Sequence, residues 1–217
     1  MGENGTLLAM GVDRQAHWQR VHRDKSPEEL TWFQAVPEVS LALIERAGCK
    51  PDEPVIDVGA GSSRLVDELL DRGFDHVIIL DIAEAGLNAA QQRLGERAAR
   101  VEWIEGDVLE LALPTDLALW HDRAVFHFLV EAEERRLYLD QLRASLRPGG
   151  HVIIATFAED GPERCSGLPV ARYSPRQLDE TLGADFELIE SRAEVHLTPA
   201  GREQRFVYCL FRHSPAR

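Results

Sequence analysis

The sequence predicts an α/β fold: a doubly wound sheet of five parallel strands closed by a C-terminal antiparallel pair, with helices on both faces. Three observations predict it. From Pro54 to Phe157, short apolar runs alternate with segments of helical spacing. Those runs are continuously apolar, as expected of parallel strands covered on both sides. The last two extended segments have a turn but no helix between them, so they should pair antiparallel.

Each element has its local signal. Residues 1–12 read as a loose tail, and Arg14 to Arg23 as a short helix. Ser26-Pro27-Glu28-Glu29 is a capping box with Pro at the first helical position. Val39, Leu43 and Ala47 keep helical spacing within Val36 to Ala47, and Gly48 stops it. Val55 to Val58 is the first strand and runs into Gly59-Ala60-Gly61. Leu65, Val66, Leu69 and Leu70 form one helical face, closed by Gly73. His76 to Leu80 is a β-branched strand ending at Asp81, followed by a helix from Ala83 to Leu94. Val101 to Glu105 and Leu117 to Trp120 are the third and fourth strands. A long helix spans Glu131 to Leu146, and Pro148-Gly149-Gly150 turns into the fifth strand, His151 to Phe157. Residues 158–169, with two Pro and two Gly, read as a loop. Ser174-Pro175-Arg176-Gln177 starts a helix to about Leu182. Phe186 to Leu197 and Gln204 to Arg212 are the final strands, joined by Thr198-Pro199-Ala200-Gly201. No linker divides this order, so residues 1–217 read as one domain: N-terminal helices over 1–50 and an α/β core over 51–217.

Composition excludes several functions. A chain of 217 residues with 44% hydrophobic content can bury a core without disulfides or metal. Its net charge of −13 repels polyanions, so neither nucleic acid nor an anionic membrane is expected as a partner. Cys49, Cys165 and Cys209 are too scattered for a disulfide framework or a metal site, and a reducing cytoplasm is the simplest compartment. Leu7-Leu8-Ala9-Met10 is too short for a signal peptide, and no apolar run approaches the ~18 residues of a membrane span.

Ligands of open α/β sheets bind outside the carboxyl ends of the strands. Asp57-Val58-Gly59-Ala60-Gly61 lies at the first such end, where glycines let a ligand approach the backbone. Arg64 stands where a GxGxxG loop has its third glycine, which counts against a dinucleotide, and no Lys-Ser/Thr pair follows to make a phosphate loop. Asp81 ends the second strand about 20 residues later, where a carboxylate can take both ribose hydroxyls. Asp107 follows the third strand.

On these motifs the chain resembles class I S-adenosylmethionine-dependent methyltransferases, of Rossmann-like fold, over roughly residues 14–212. Val55 to Gly61 is similar to the family's first motif, Asp81 to its ribose-binding acid, Asp107-Val108 to the pair beside the adenine, and Leu146-Arg147-Pro148-Gly149-Gly150 to the turn before the fifth strand. The resemblance implies S-adenosyl-L-methionine as cofactor. Asp57 and Gly59 would then face its methionine part, Asp81 the ribose, and Asp107 and Val108 the adenine, with Gly61 and Ile82 also in the cofactor-binding set. A cationic sulfonium suits such an acidic, glycine-lined pocket.

The acceptor should meet the end of the fourth strand, Trp120-His121-Asp122-Arg123. An Asn/Asp-Pro-Pro-aromatic tetrapeptide, frequent in amide and adenine N-methyltransferases, is absent. His121, Asp122, Arg123 and His127 are the polar candidates for catalysis, His being the usual proton acceptor near neutral pH; His121 also adjoins the cofactor. The bland alternative has Asp122 and Arg123 paired locally, and His127 facing solvent or a helix end. The Asp122-Arg123 step resembles thiopurine-type S-methyltransferases, and also lysine methyltransferases of the citrate-synthase and elongation-factor type. Trp18 and Thr31-Trp32-Phe33-Gln34 resemble the aromatic N-terminal element of the latter. That element implies a lid over the cofactor, with Trp32 against it and Trp18 and Phe33 toward the substrate; the alternative is plain packing of helices. Cys165, in the loop after the fifth strand, either touches substrate or is a free surface or semi-buried thiol. The expected activity is methyl transfer to a small-molecule acceptor, a thiol or other soft nucleophile. The alternatives are a protein lysine as acceptor, or a non-catalytic cofactor-binding regulator. Oligomeric state stays open.

Overall fold

The computed structural model of the protein describes residues 13–214, so the loose tail expected over 1–12 lies outside the described residues. The strands are β1 (Val55–Val58), β2 (Val77–Asp81), β3 (Val101–Glu105), β4 (Leu117–Arg123), β5 (Leu146–Phe157), β6 (Arg164–Cys165), β7 (Leu168–Pro169), β8 (Phe186–Leu197) and β9 (Glu203–His213). The helices are α1 (Arg14–Asp24), α2 (Glu38–Ala47), α3 (Leu65–Asp71), α4 (Glu84–Leu94), α5 (Ala132–Ser145) and α6 (Pro175–Leu182). A seven-stranded sheet has the order β3-β2-β1-β4-β5-β9-β8. The five N-terminal strands pair in parallel, and β9 runs antiparallel to both β5 and β8. One detail differs from expectation. β8 points the same way as the first five strands, because the hairpin reverses only β9, so a single strand of this sheet runs against the rest. This is the seven-stranded, Rossmann-like methyltransferase architecture.

The sheet forms because β1 and β2 are wholly buried and can be covered on both faces. Successive residues then alternate between two cores. Ile56, Ile78, Trp120 and Val152 pack with Tyr138 and Leu142 of α5 and Leu178 and Leu182 of α6. Val55, Val77, Leu119 and Ile153 pack on the other face with Leu43 of α2, Leu65 and Leu69 of α3 and Leu87 of α4.

Three local differences have physical causes. Ser26 and Glu29 do form the capping box, but the helix stops after the single 3-10 turn Pro27–Glu29. The loop after β5 folds into the small β6–β7 hairpin, turning at Ser166 and Gly167, both at positive φ. β4 runs three residues beyond its apolar stretch, because His121, Asp122 and Arg123 keep parallel pairing with β5. Among the described residues no helix is long and apolar enough to cross a membrane.

The extended end of β4 is tied to α5 by a buried chain. The indole N–H of Trp120 donates to Tyr138 Oη at 2.8 Å, and that hydroxyl donates to Asp122 Oδ2 at 2.5 Å. Trp120, Tyr138 and Asp122 are all fully buried. Tyr138→Phe removes the link, leaving a buried indole donor without a partner and a buried carboxylate with one donor fewer. It should destabilise the protein by about 2–4 kcal/mol, read as a lower denaturant midpoint at unchanged slope.

Candidate functional site

The site lies along the carboxyl edge of the parallel strands. Gly59 has φ +67°, and a Cβ there would meet Val125 Cγ2 at 1.9 Å, so the loop after β1 and the turn after β4 interlock only without a side chain. Gly61, at φ +49°, lies under the His22 ring of α1 and 3.3 Å, measured from a built Cβ, from Asp81 Oδ2.

A cavity of about 920 Å³, counted to its open mouth, follows this edge. At the β1–β3 side it is lined by Gly59, Asp81, Ile82, Asp107 and Val108. At the β4, β5 and β9 side it is lined by Arg123, Phe128, Phe157, Cys165 and Phe206, with Trp18 and Trp32 from the N-terminal segment. A second cavity of about 510 Å³ takes in Asp57, Ser62, Arg64, His121, Phe33 and Ser40. Gly59, Trp32 and Arg123 line both.

Buried Asp57 receives His121 Nδ1 on Oδ1 at 2.7 Å, while its Oδ2 has no partner. His121 Nε2 lies 2.9 Å from Ser40 Oγ. Both ring nitrogens are therefore committed, and His121 fixes the direction of the Asp57 carboxylate instead of offering a free base. Asp81 accepts from the backbone N–H of Ala83 at 2.7 Å. Burial still pushes its carboxyl up to about 6. Asp107 accepts from the N–H of Leu109 at 2.9 Å, which shapes the turn after β3.

Asp122 and Arg123 do not pair with each other. Consecutive strand residues point to opposite faces, so they reach different partners. Asp122 accepts from Tyr138 and from the N–H groups of Val125 and Phe126, and burial pushes it up to about 6. It lines neither cavity. Arg123 Nε donates to Tyr208 Oη at 2.7 Å and Nη1 to the carbonyl of Trp32 at 3.0 Å, and its guanidinium covers Phe206 at 4.7 Å. His127 is not at solvent but fully buried behind the cavity, between Phe128 and Phe157. Burial pushes it down to about 3, and its Nε2 has no partner. Cys165 is likewise buried and not a surface thiol; burial raises it to about 11, so it stays neutral. Phe33 sits at the second cavity beneath the Arg64 guanidinium, away from Trp18 and Cys165.

Helix α1 spans the cavity. Its Gln19 Oε1 accepts from the N–H of Ala85, Gln15 Nε2 donates to Glu105 at 3.3 Å, and Arg14 pairs with Glu134. Trp18 meets Trp32 and Phe128 edge to face. Several residues in or behind the cavity wall carry no local sequence signal. His22 is brought over the glycine loop by the α1–α4 packing, and Tyr208, Glu194 and Phe206 by the antiparallel pairing of β8 with β9.

Residues 55–150 match the description of a methyltransferase domain. The chain is 24% identical over 98 residues to the eEF1A lysine and N-terminal methyltransferase of Mus musculus, covering 45% of this chain but only 14% of that protein. It is 28% identical to the ubiquinone biosynthesis O-methyltransferase of Acinetobacter baylyi, over 79% of this chain and 67% of that one. Its fold is similar to that of the Burkholderia thailandensis 1,6-didemethyltoxoflavin-N1-methyltransferase, solved with its substrate and S-adenosylhomocysteine. That similarity has TM-score 0.68 at 23% identity and covers 93% of this chain and 84% of that one.

His127 supplies a pH test. Its neutral ring is held in the fold, so its contribution is present above the ordinary histidine range and is lost as pH falls toward about 3. His127→Phe should flatten the loss of thermal stability on acidification between about pH 6.5 and 4. A wild-type slope in the variant contradicts the buried neutral ring.

Proposed function

We infer that this chain, which carries an S-adenosylmethionine-dependent methyltransferase domain, moves the cofactor's methyl group by in-line displacement to a small-molecule acceptor, a thiol or other soft nucleophile. One observation carries the reading. The cavity continues from the glycine loop into an aromatic end formed by Trp18, Trp32, Phe128, Phe157 and Phe206, with α1 tethered across it. Such a chamber suits a compact, largely apolar molecule.

The residues present fit the cofactor. Asp57 Oδ2 is buried and unpartnered, and needs a cationic donor. In this reading it takes the ammonium of the methionine part, and His121 holds it in place. Asp81 takes the ribose hydroxyls beside Ile82, Asp107 and Val108 flank the adenine, and Gly59 and Gly61 leave room at the backbone. Trp18 and Trp32 exclude water, and α1 with the segment to residue 50 serves as a lid on the core. When bound, the cofactor supplies an electrophilic methyl group on a cationic sulfur. The protein then needs to align the acceptor with it and keep the site dry.

A protein lysine is the second reading. The similarity to the Mus musculus lysine methyltransferase and the Trp18–Trp32 pair favour it. Radiolabelled cofactor incubated with cell lysate separates the two. Label in small extractable products is expected, and label confined to protein bands overturns the small-molecule assignment.

The cofactor site has its own test. A carboxylate is the better acceptor for ribose hydroxyls, and Asp81 in the free protein holds its proton up to about 6. Binding below that value must expel the proton. Affinity for the demethylated cofactor, measured by calorimetry, should be micromolar at neutral pH and fall by up to about tenfold per pH unit below 6. Asp81→Asn should weaken binding by about tenfold or more and remove that slope. Unchanged affinity contradicts the ribose role.

A further inference from the structure

We propose that the acceptor binds as an anion, a thiolate or phenolate on a flat apolar frame, with Arg123 as the group that holds and stabilises that anion. The proposal rests on the small-molecule reading above and names the substrate class.

Four observations carry it. First, Arg123 brings a fixed positive charge to the aromatic end of the cavity, on the floor made by Phe206. Its Nε and Nη1 are used in its own anchoring, but Nη2 is buried without a hydrogen-bond partner; Glu194 Oε2, 3.8 Å away, forms an ion pair with it but is too far for a hydrogen bond. Second, Glu194 is already engaged, accepting from Tyr208 Oη at 2.7 Å and from Gln34 Nε2 at 2.8 Å. The guanidinium is thus held rigidly with one donor in reserve. Third, the only acids lining this cavity among the described residues are Asp81 and Asp107, both at the opposite, β2–β3 side. A lysine ammonium at the aromatic end would face Arg123 with no carboxylate of its own. Fourth, among the described residues no base is free there. His121 has both nitrogens engaged and His127 lies behind the wall. His22 is half-buried over Gly61 and Gly86 at the glycine side, and that burial depresses it to about 4.

An acceptor that arrives ionised needs no base. Its proton leaves to solvent before or during binding. The anion's lone pair then forms the bond to the methyl carbon, the carbon–sulfur bond breaks, and its electron pair stays on sulfur, giving a neutral thioether and a neutral methylated product. Arg123 lowers the pKa of the bound acceptor, as an opposite charge does for any acid. Cys165 stays protonated nearby and does not compete for the methyl group.

The test uses 4-nitrophenol as probe and the protein saturated with S-adenosylhomocysteine, so Arg123 is the cation offered to the probe at the aromatic end; Arg14, which also lines the cavity, is paired with Glu134. Besides Arg123, the titratable groups packed near it are Glu194, Tyr208, His196, His127 and Cys165. The phenolate absorbance of the bound probe should titrate at least about one pH unit below that of the free probe. Arg123→Gln should abolish the shift and Arg123→Lys keep part of it, with melting curves showing that each variant is folded. The wild-type titration stands even where a variant fails to fold. An unshifted titration in wild type, or no binding of the phenolate, overturns the proposal. If neutral small molecules are methylated at the same time, the small-molecule reading survives; label confined to protein bands removes both.

Discussion

Everything at the aromatic end of the cavity hangs on the carboxylate of Asp122. It is fully buried, yet it accepts from a tyrosine hydroxyl and two backbone N–H groups where β4 ends. A buried charge is tolerated only with such partners. In exchange it fixes the turn that follows, with Ala124 at φ 74° and the 3-10 turn Phe126–Phe128. That turn presses Val125 against Gly59, puts Phe128 in the cavity wall and sends His127 behind it. The residue takes no direct part in the cavity, but the wall takes its shape from it.

The mixed polarity at the end of β4 explains how much of the protein was legible. Strand β2 is apolar up to its terminal Asp81, and β1 is apolar but for Asp57 and runs into Gly59, so their positions and those two acids follow from local pattern. Residues His121 to Arg123 interrupt the apolar run, yet the strand continues through them. Pattern stops where function starts, because polar side chains in a strand are tolerated only when partners elsewhere satisfy them. For His121 those partners are Ser40 and Asp57, 81 and 64 residues away.

The same distance effect hid the environment of Arg123. Its partners come from the Trp32 carbonyl, from Tyr208 on β9 and from Glu194 on β8. Only the register of an antiparallel pair, Arg192 opposite Tyr208 and Glu194 opposite Phe206, brings them together. A hairpin is legible from its turn, but which side chains it delivers to a neighbouring strand's end depends on a one-residue choice of register. Sequence spacing therefore brought out the glycine-and-carboxylate end of the cavity better than the aromatic end.

Helix α1 covers the cavity but has no fully buried residue, and it is held by a few polar links and aromatic edges. Its opening costs those contacts alone, whereas β1 and β4 are locked inside both cores. Local and global unfolding are thus separated by a wide energy gap. Amide hydrogens of α1 will exchange with solvent far ahead of those in the central strands. Fraying of that one helix would open the chamber while the sheet behind it stays intact.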